Sequence, residues 1–353
     1  MRRTGIVRDS IYLEHKTGVH HVEVPQRLET IYNMLDKCQL KDTLTRIPSR
    51  LASLEEIEMV HDPHYVEKIM DTAGEPLCYL DPDTVTSERS CEAAFMAVGG
   101  VLEAVRSVLT GAVDNAFALI RPPGHHAEKN RQMGFCIFNN PAIAAEYARR
   151  QFGLKKILIV DWDLHHANGT QHIFEKTNQV LLFSTHRFPF FPGTGNFNEI
   201  GREQGQGFTI NVPLPSQRTD ADFAQIFRKV LLPVALEFQP QLILVSAGFD
   251  THYDDPIGGM QVTESGYAYL TDTILEIADK TCQGKVVAVL EGGYDMGAMR
   301  KSAQAVLETM QNGITEDVKN KIEGSLKEDL PVSKIIQDVI LIHKPFWKSL
   351  NNV

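Results

Sequence analysis

The chain has 353 residues, enough for two ordinary domains or one large α/β enzyme, and long enough to bury a core without disulfide staples. Lys and Arg total 35 against 45 Asp and Glu, and this net charge of −10 excludes a broad basic face for a nucleic-acid backbone. With 43% hydrophobic and 23% charged residues, the composition is that of a folded globular protein, neither disordered nor fibrous. The five cysteines (Cys38, Cys78, Cys91, Cys136, Cys282) are scattered, odd in number and form no CxxC. This pattern fits a reducing compartment and argues against a disulfide framework or a thiolate zinc site. The first residues, Met1 to Asp9, turn polar before an apolar signal core can form, and no apolar run reaches the roughly 18 residues of a membrane span. The expectation is a soluble cytoplasmic protein with no membrane contact. Asn168-Gly169-Thr170 matches a glycosylation sequon, which without a secretion signal reads as incidental.

In chain order, the first hundred residues read mostly as helix and loop. Six strands are expected after them: Phe117 to Ile120, Lys156 to Val160, Val180 to Ser184, Phe208 to Pro213, Leu242 to Ser246 and Val286 to Leu290. Their Ile, Val and Leu run without polar alternation, as in strands buried on both faces. Helices are expected over Ala142 to Gln151, Asp220 to Phe238 and Ser265 to Asp279, with a closing helix over Ser333 to Leu341. The alternation points to one α/β domain: a mostly parallel sheet with helices on both faces.

Polar clusters follow five of the strands: Arg121-Pro-Pro-Gly-His125-His126, Asp161-Trp-Asp163-Leu-His165-His166, Ser184-Thr-His186, Ser246-Ala-Gly-Phe-Asp250 and Glu291-Gly-Gly-Tyr294. Open parallel sheets bind ligands beyond the carboxyl ends of their strands, so the five converge on one crevice. Asp161, Asp163 and His165 alternate with Trp162 and Leu164, which in an extended segment turns two carboxylates and an imidazole to one side. Strand-end aspartates also cap helices, but this mixed oxygen and nitrogen set suits Zn²⁺, which takes three protein ligands and keeps one position open in catalytic sites. Asp250, after the small residues Ser246, Ala247 and Gly248, is the natural third ligand. His125 and His126 follow a stiff Pro-Pro-Gly turn and suit a general base and general acid beside a metal-bound water. Asp161 and Asn168 are available to orient them. Tyr294, after two glycines, has a phenol able to donate to a developing oxyanion. Phe135, Phe190 and Phe191 lie in Gly-bearing loops and could wall an apolar channel.

Arg121-Pro-Pro-Gly-His-His-Ala, Gly134-Phe-Cys-Ile-Phe-Asn, Asp161-Trp-Asp-Leu-His-His-Ala-Asn-Gly-Thr, Phe191-Pro-Gly-Thr-Gly, Ser246-Ala-Gly-Phe-Asp and Leu290-Glu-Gly-Gly-Tyr closely resemble the zinc-dependent histone deacetylase family, in its class II and bacterial deacetylase-like branch. His21-Val-Glu-Val-Pro-Gln-Arg27 is similar to the family's N-terminal motif, with Val22 in place of a proline, and Ala167 replaces a glycine. The resemblance spans about residues 15–300 and implies one catalytic domain over 1–353, closed by a helical segment over about 313–353. It implies the arginase/deacetylase fold, one Zn²⁺ on Asp163, His165 and Asp250, and His125, His126, Asp161, Asn168 and Tyr294 as catalytic groups. It places Gly134, Phe135, Phe191 and Gly293 along a substrate channel and Arg27 in an internal pocket beneath the metal. Structural potassium is also implied, on Asp161, Asp163, His165, Ser184 and Thr185, and on backbone carbonyls near Phe174, Thr177, Val180 and Phe208. The implied reaction removes acetyl, or a longer acyl group, from lysine side chains of proteins or peptides.

Acetylated polyamine is the alternative substrate. Polyamine specialists of the family resemble Asp-Pro-Glu-Gly where this chain has Asp255-Pro256-Ile257-Gly258, and an isoleucine cannot attract a distant ammonium. Asp83 is expected on the rim, accepting a peptide N–H. A ureohydrolase would need two metals and a D-x-H-x-D order; an inactive acyl-lysine-binding module would typically lack the tyrosine or a histidine. The sequence leaves the oligomeric state open.

Overall fold

A computed structural model describes residues 1–326 and 332–352. Among the described residues ten strands occur in chain order: β1 (Thr4–Val7), β2 (Thr45–Ile47), β3 (Leu77–Tyr79), β4 (Val85–Ser87), β5 (Asn115–Ala118), β6 (Ile157–Asp161), β7 (Val180–Arg187), β8 (Thr209–Leu214), β9 (Leu242–Ala247) and β10 (Val286–Leu290). Eight form one sheet in the order β2-β1-β5-β10-β9-β6-β7-β8, and every pairing in it is parallel. The fold is therefore the expected parallel α/β architecture. β5, β6, β9 and β10 are buried at every residue, which is why their sequences lack polar alternation. Helices Ser90–Leu109 and Asn140–Phe152 pack together as one group, and Gln26–Leu35, Glu264–Thr281 and Met296–Asn312 as another.

Three differences from expectation have physical causes. The first hundred residues supply β1 and β2 to the sheet and pair β3 with β4 as an antiparallel hairpin, rather than forming only helix and loop. Each of these strands has only three or four residues, too few for a periodicity to register. β5 begins at Asn115, two residues before the expected start, because its register with β1 sets Thr4 opposite Asn115. The helix expected over Asp220 to Phe238 contains a π-helical turn, Phe227–Leu231, between Asp220–Ile226 and Leu232–Phe238. Pro233 has no N–H for the regular ladder, and the wider turn precedes it. The closing helix runs Ser333–His343; part of the expected closing segment, 327–331 and 353, lies outside the described residues. All five cysteines are free.

The N-terminal segment is tied beneath the sheet's carboxyl end by a buried charge cluster. Glu23 Oε1 accepts from Arg27 Nη1 at 2.7 Å and Arg121 Nε at 2.5 Å, and Oε2 accepts from Arg121 Nη2 at 2.7 Å. Arg121 also donates to the carbonyls of Tyr12 and His15. Arg27 donates to those of Glu291 and Gly293, just past β10. Burial alone would raise the Glu23 carboxyl, but Arg121 and Arg27 outweigh it and hold it well below the ordinary range. Glu23→Gln leaves two buried guanidiniums uncompensated and is expected to cost about 3 kcal/mol or more in denaturant unfolding. Because the folded carboxyl is depressed, its contribution is present above the ordinary value of 4.5 and is lost as pH falls below it. The acid limb of the stability curve should therefore be shallower in Glu23→Gln than in the parent.

Candidate active site

β6 and β9 are neighbours, and their register sets Asp161 opposite Ser246. The loops leaving them carry Asp163 and His165 on one side and Asp250 on the other. His165 Nδ1 lies 3.1 Å from Asp163 Oδ1 and 3.1 Å from Asp250 Oδ2. The remaining carboxylate oxygens are held by backbone: Gly292 N–H donates to Asp163 Oδ2 at 2.9 Å and Leu164 N–H to Asp250 Oδ1 at 2.8 Å. A Cβ on Gly248 would strike Asp163 Oδ2, and one on Gly292 would strike Asp250 Oδ2, so only glycine lets these loops close around the carboxylates. Three buried donor atoms facing one another are suited to a dication, since ligands of a tetrahedral zinc stand about 3.3 Å apart. The electrostatics agree. Burial and Asp163 push Asp250 up to about 7. Burial works against a charged His165, but its hydrogen bonds to Asp163 and Asp250 prevail and raise it to about 9. The cluster holds more negative charge than it can carry without a positive partner.

The loop after β5 brings the two histidines beside this cluster, with ring centroids 4.0 Å apart. His125 Nδ1 stands 3.0 Å from Asp161 Oδ2, and His126 Nδ1 stands 2.7 Å from Asn168 Oδ1. Their surroundings shift them in opposite directions. Burial opposes charge on His125, but Asp163 and Asp161 outweigh it and raise it to about 10. His126 is pushed well below its ordinary value by burial and by the neighbouring imidazoles of His125 and His165. Asn168 begins the helix Asn168–Phe174 and is buried, so the sequon is closed to modification.

A cavity of about 90 Å³ runs over these groups, lined by Phe135, Phe191, Gly134, Tyr294, Ile257 and Asp83 among others. Phe191 stands edge-on to His126 at 5.2 Å, and Phe190 stacks on His165 at 5.5 Å. Gly134 has φ 54°, and a Cβ there would come 2.5 Å from His126 Cδ2. Of the two glycines before Tyr294 it is Gly292 that lines the cavity, not the expected Gly293, which at φ 116° turns its carbonyl to Arg27. Tyr294 packs edge-on to Phe135 at 6.0 Å, with the Arg27 guanidinium 4.9 Å from its ring.

The hydroxyl of Thr185 reaches the Asp161 carbonyl at 3.5 Å, and Ser184 pairs with Asp161 across the sheet. Phe174, Thr177, Val180 and Phe208 gather where β7 and β8 begin: Thr177 N–H donates to the Phe174 carbonyl, and Leu182 N–H to that of Phe208.

Four carboxylates at the site escaped the sequence reading of roles. Glu291 accepts the N–H groups of Gly124 and His125, and burial pushes it up to about 8. Asp255 accepts the N–H groups of Tyr294, Ile257 and Gly258, joining two channel loops. Glu23 clamps the two arginines, and Glu128 holds Asn168. Glu291, Glu23 and Asp255 lay inside quoted motifs, though without this role; Glu128 carried no signal beyond adjacency.

Among the described residues no helix is long and apolar enough to cross a membrane. Residues 21–310 match the profile of the histone deacetylase domain. A probable deacetylase of Archaeoglobus fulgidus is 36% identical over 356 residues, covering 98% of this chain and 99% of its own. The human polyamine deacetylase HDAC10 is 38% identical over 93% of this chain and 50% of its own length. The chain spans about half the length of the eukaryotic relatives it matches. The crystal structure of the HDA15 HD domain superposes with a TM-score of 0.90 at 35% identity, covering 99% of this chain and 97% of that one. The chain belongs to the histone deacetylase family.

Proposed function

We propose that the chain is a zinc-dependent amidohydrolase that removes acetyl groups from lysine side chains. The observation that carries this reading is the convergence of Asp163, His165 and Asp250 at the floor of a narrow aromatic channel, with His125, His126 and Tyr294 around it. Zinc held by those three residues would polarise the amide carbonyl and lower the pKa of a bound water. His126, kept neutral by its surroundings, takes a proton from the attacking water at Nε2. His125, backed by Asp161, carries a proton and gives it to the leaving amine. Burial raises the Tyr294 phenol well above its ordinary value, so it keeps the proton with which it holds the developing charge on the amide oxygen. Phe135 and Phe191 grip the methylene stem of lysine. Structural potassium on Asp161, Asp163, His165, Ser184 and Thr185, and on the carbonyls near Phe174, Thr177, Val180 and Phe208, belongs to the same proposal. Its support is the pairing of Ser184 with Asp161 and the Thr185 contact.

Ile257 lines the channel and offers no charge to a distant ammonium, which favours acyl-lysine. Asp83 lines the same channel and supports the second reading, an acetylated polyamine. Asp255 is already committed to three backbone N–H groups and serves neither.

Elemental analysis should find about one zinc per chain and far less in Asp250→Ala, since three ligands is already the minimum. Two metals per chain would defeat the assignment. Tyr294→Phe should retain zinc and lose about 10²–10³ in kcat; a loss below about tenfold would make Tyr294 a packing residue. The parent should hydrolyse acetyl-lysine peptides with higher kcat/KM than acetylspermidine, and Ile257→Glu should shift that ratio about fivefold towards the polyamine, the worth of about 1 kcal/mol at a partly exposed mouth. A parent that already prefers the polyamine would favour the reading built on Asp83.

A further inference from the structure

We infer that Glu128 is a positioning residue for His126: by fixing the amide of Asn168 it decides which ring nitrogen of His126 carries the proton. The two histidines have unlike partners. His125 faces the Asp161 carboxylate, which accepts through either oxygen and always favours a proton on Nδ1. His126 faces an amide, and an amide turned by half a revolution presents a donor where it presented an acceptor. With Oδ1 towards His126 Nδ1, that nitrogen bears the proton and Nε2 opens its lone pair to the channel. With Nδ2 there, Nδ1 would have to accept, Nε2 would carry the proton, and His126 would have no lone pair for the attacking water.

The choice is made at the far side of the amide. Asn168 Nδ2 donates to Glu128 Oε1 at 2.7 Å and to the His126 carbonyl at 3.2 Å, and neither partner can donate in return. The charged acceptor is the stronger of the two. Glu128 is itself held by His172 Nδ1 at 2.8 Å, one turn along the helix that Asn168 begins. Arg131 lies 3.9 Å away. Burial would raise the Glu128 carboxyl, but the hydrogen bonds from His172 and Asn168 outweigh it, so it stays an anion. A second backing carboxylate is thus supplied one residue further back, through an amide.

The inference rests on His126 acting as the proposed base, and its test has a readout independent of turnover. The full-length, metal-loaded chain is compared with Glu128→Met and Glu128→Gln, with Glu128→Leu as the apolar variant should the methionine form fail to fold. Imidazole ¹⁵N spectra should show His126 protonated at Nδ1 in the parent and shifted towards the Nε2–H tautomer in the apolar variant. On an acetyl-lysine peptide, kcat should fall by about 10–100-fold with KM and metal content little changed. Glu128→Gln, whose amide oxygen still accepts, should recover most of the loss. An unchanged tautomer in the apolar variant, or a glutamine variant as impaired as the apolar one, overturns the inference. A metal-loaded parent that fails to hydrolyse any acyl-amine overturns the functional reading instead, while the tautomer measurement still decides the role of Glu128.

Discussion

Two buried carboxylates are held against one imidazole, and the surrounding architecture answers that arrangement. Asp163 and Asp250 have left water without a guanidinium or ammonium to neutralise them, an arrangement that costs several kcal/mol per ion unless a cation is supplied. The backbone N–H groups of Leu164 and Gly292 hold one oxygen of each, which leaves the other two aimed at His165 Nδ1. Glycines at 248 and 292 are what allow the loops so close. The negative charge also acts on its neighbours: Asp163 helps raise His125, while Glu291 is driven towards its neutral form by burial, with Asp161 and Asp163 adding to it.

Beneath this negative floor lies a positive layer. Arg27 and Arg121 share the single carboxylate of Glu23, so the buried group keeps one net positive charge close to Tyr294 and the loop after β10. The alternation of sign, carboxylates above and guanidiniums below, explains how a chain segment from the N-terminus becomes part of a site otherwise built from strand ends.

Most of the site was legible because a parallel sheet converts sequence position into spatial position. Apolar runs that end in polar clusters must deliver those clusters to one edge, and Asp161, Asp163, His165, Asp250, His125 and Tyr294 were found by that rule. The strands β1 to β4 were not legible, since three or four residues leave no period to detect. Gly292 and Gly293 could not be told apart from sequence, because a change in φ decides which of them faces the channel. Glu128 was invisible for a different reason, as was the holding role of Asp255. A carboxylate that acts by holding another residue has the same spelling as one on a solvated surface.

The proposed metal site also has a consequence for assembly of the chain. Asp163 and His165 leave β6 and Asp250 leaves β9, strands adjacent in the sheet but separated by the whole excursion through β7 and β8. A dication seated among them would therefore staple two loops whose closure by chain diffusion alone is entropically expensive. The three side chains cannot come together in any partly folded species lacking the β6–β9 pairing. Capture of a metal there would thus be a late event, coupled to completion of the sheet. Chelation should loosen first the carboxyl edge, where catalysis is assigned, while the apolar strands behind it stay paired.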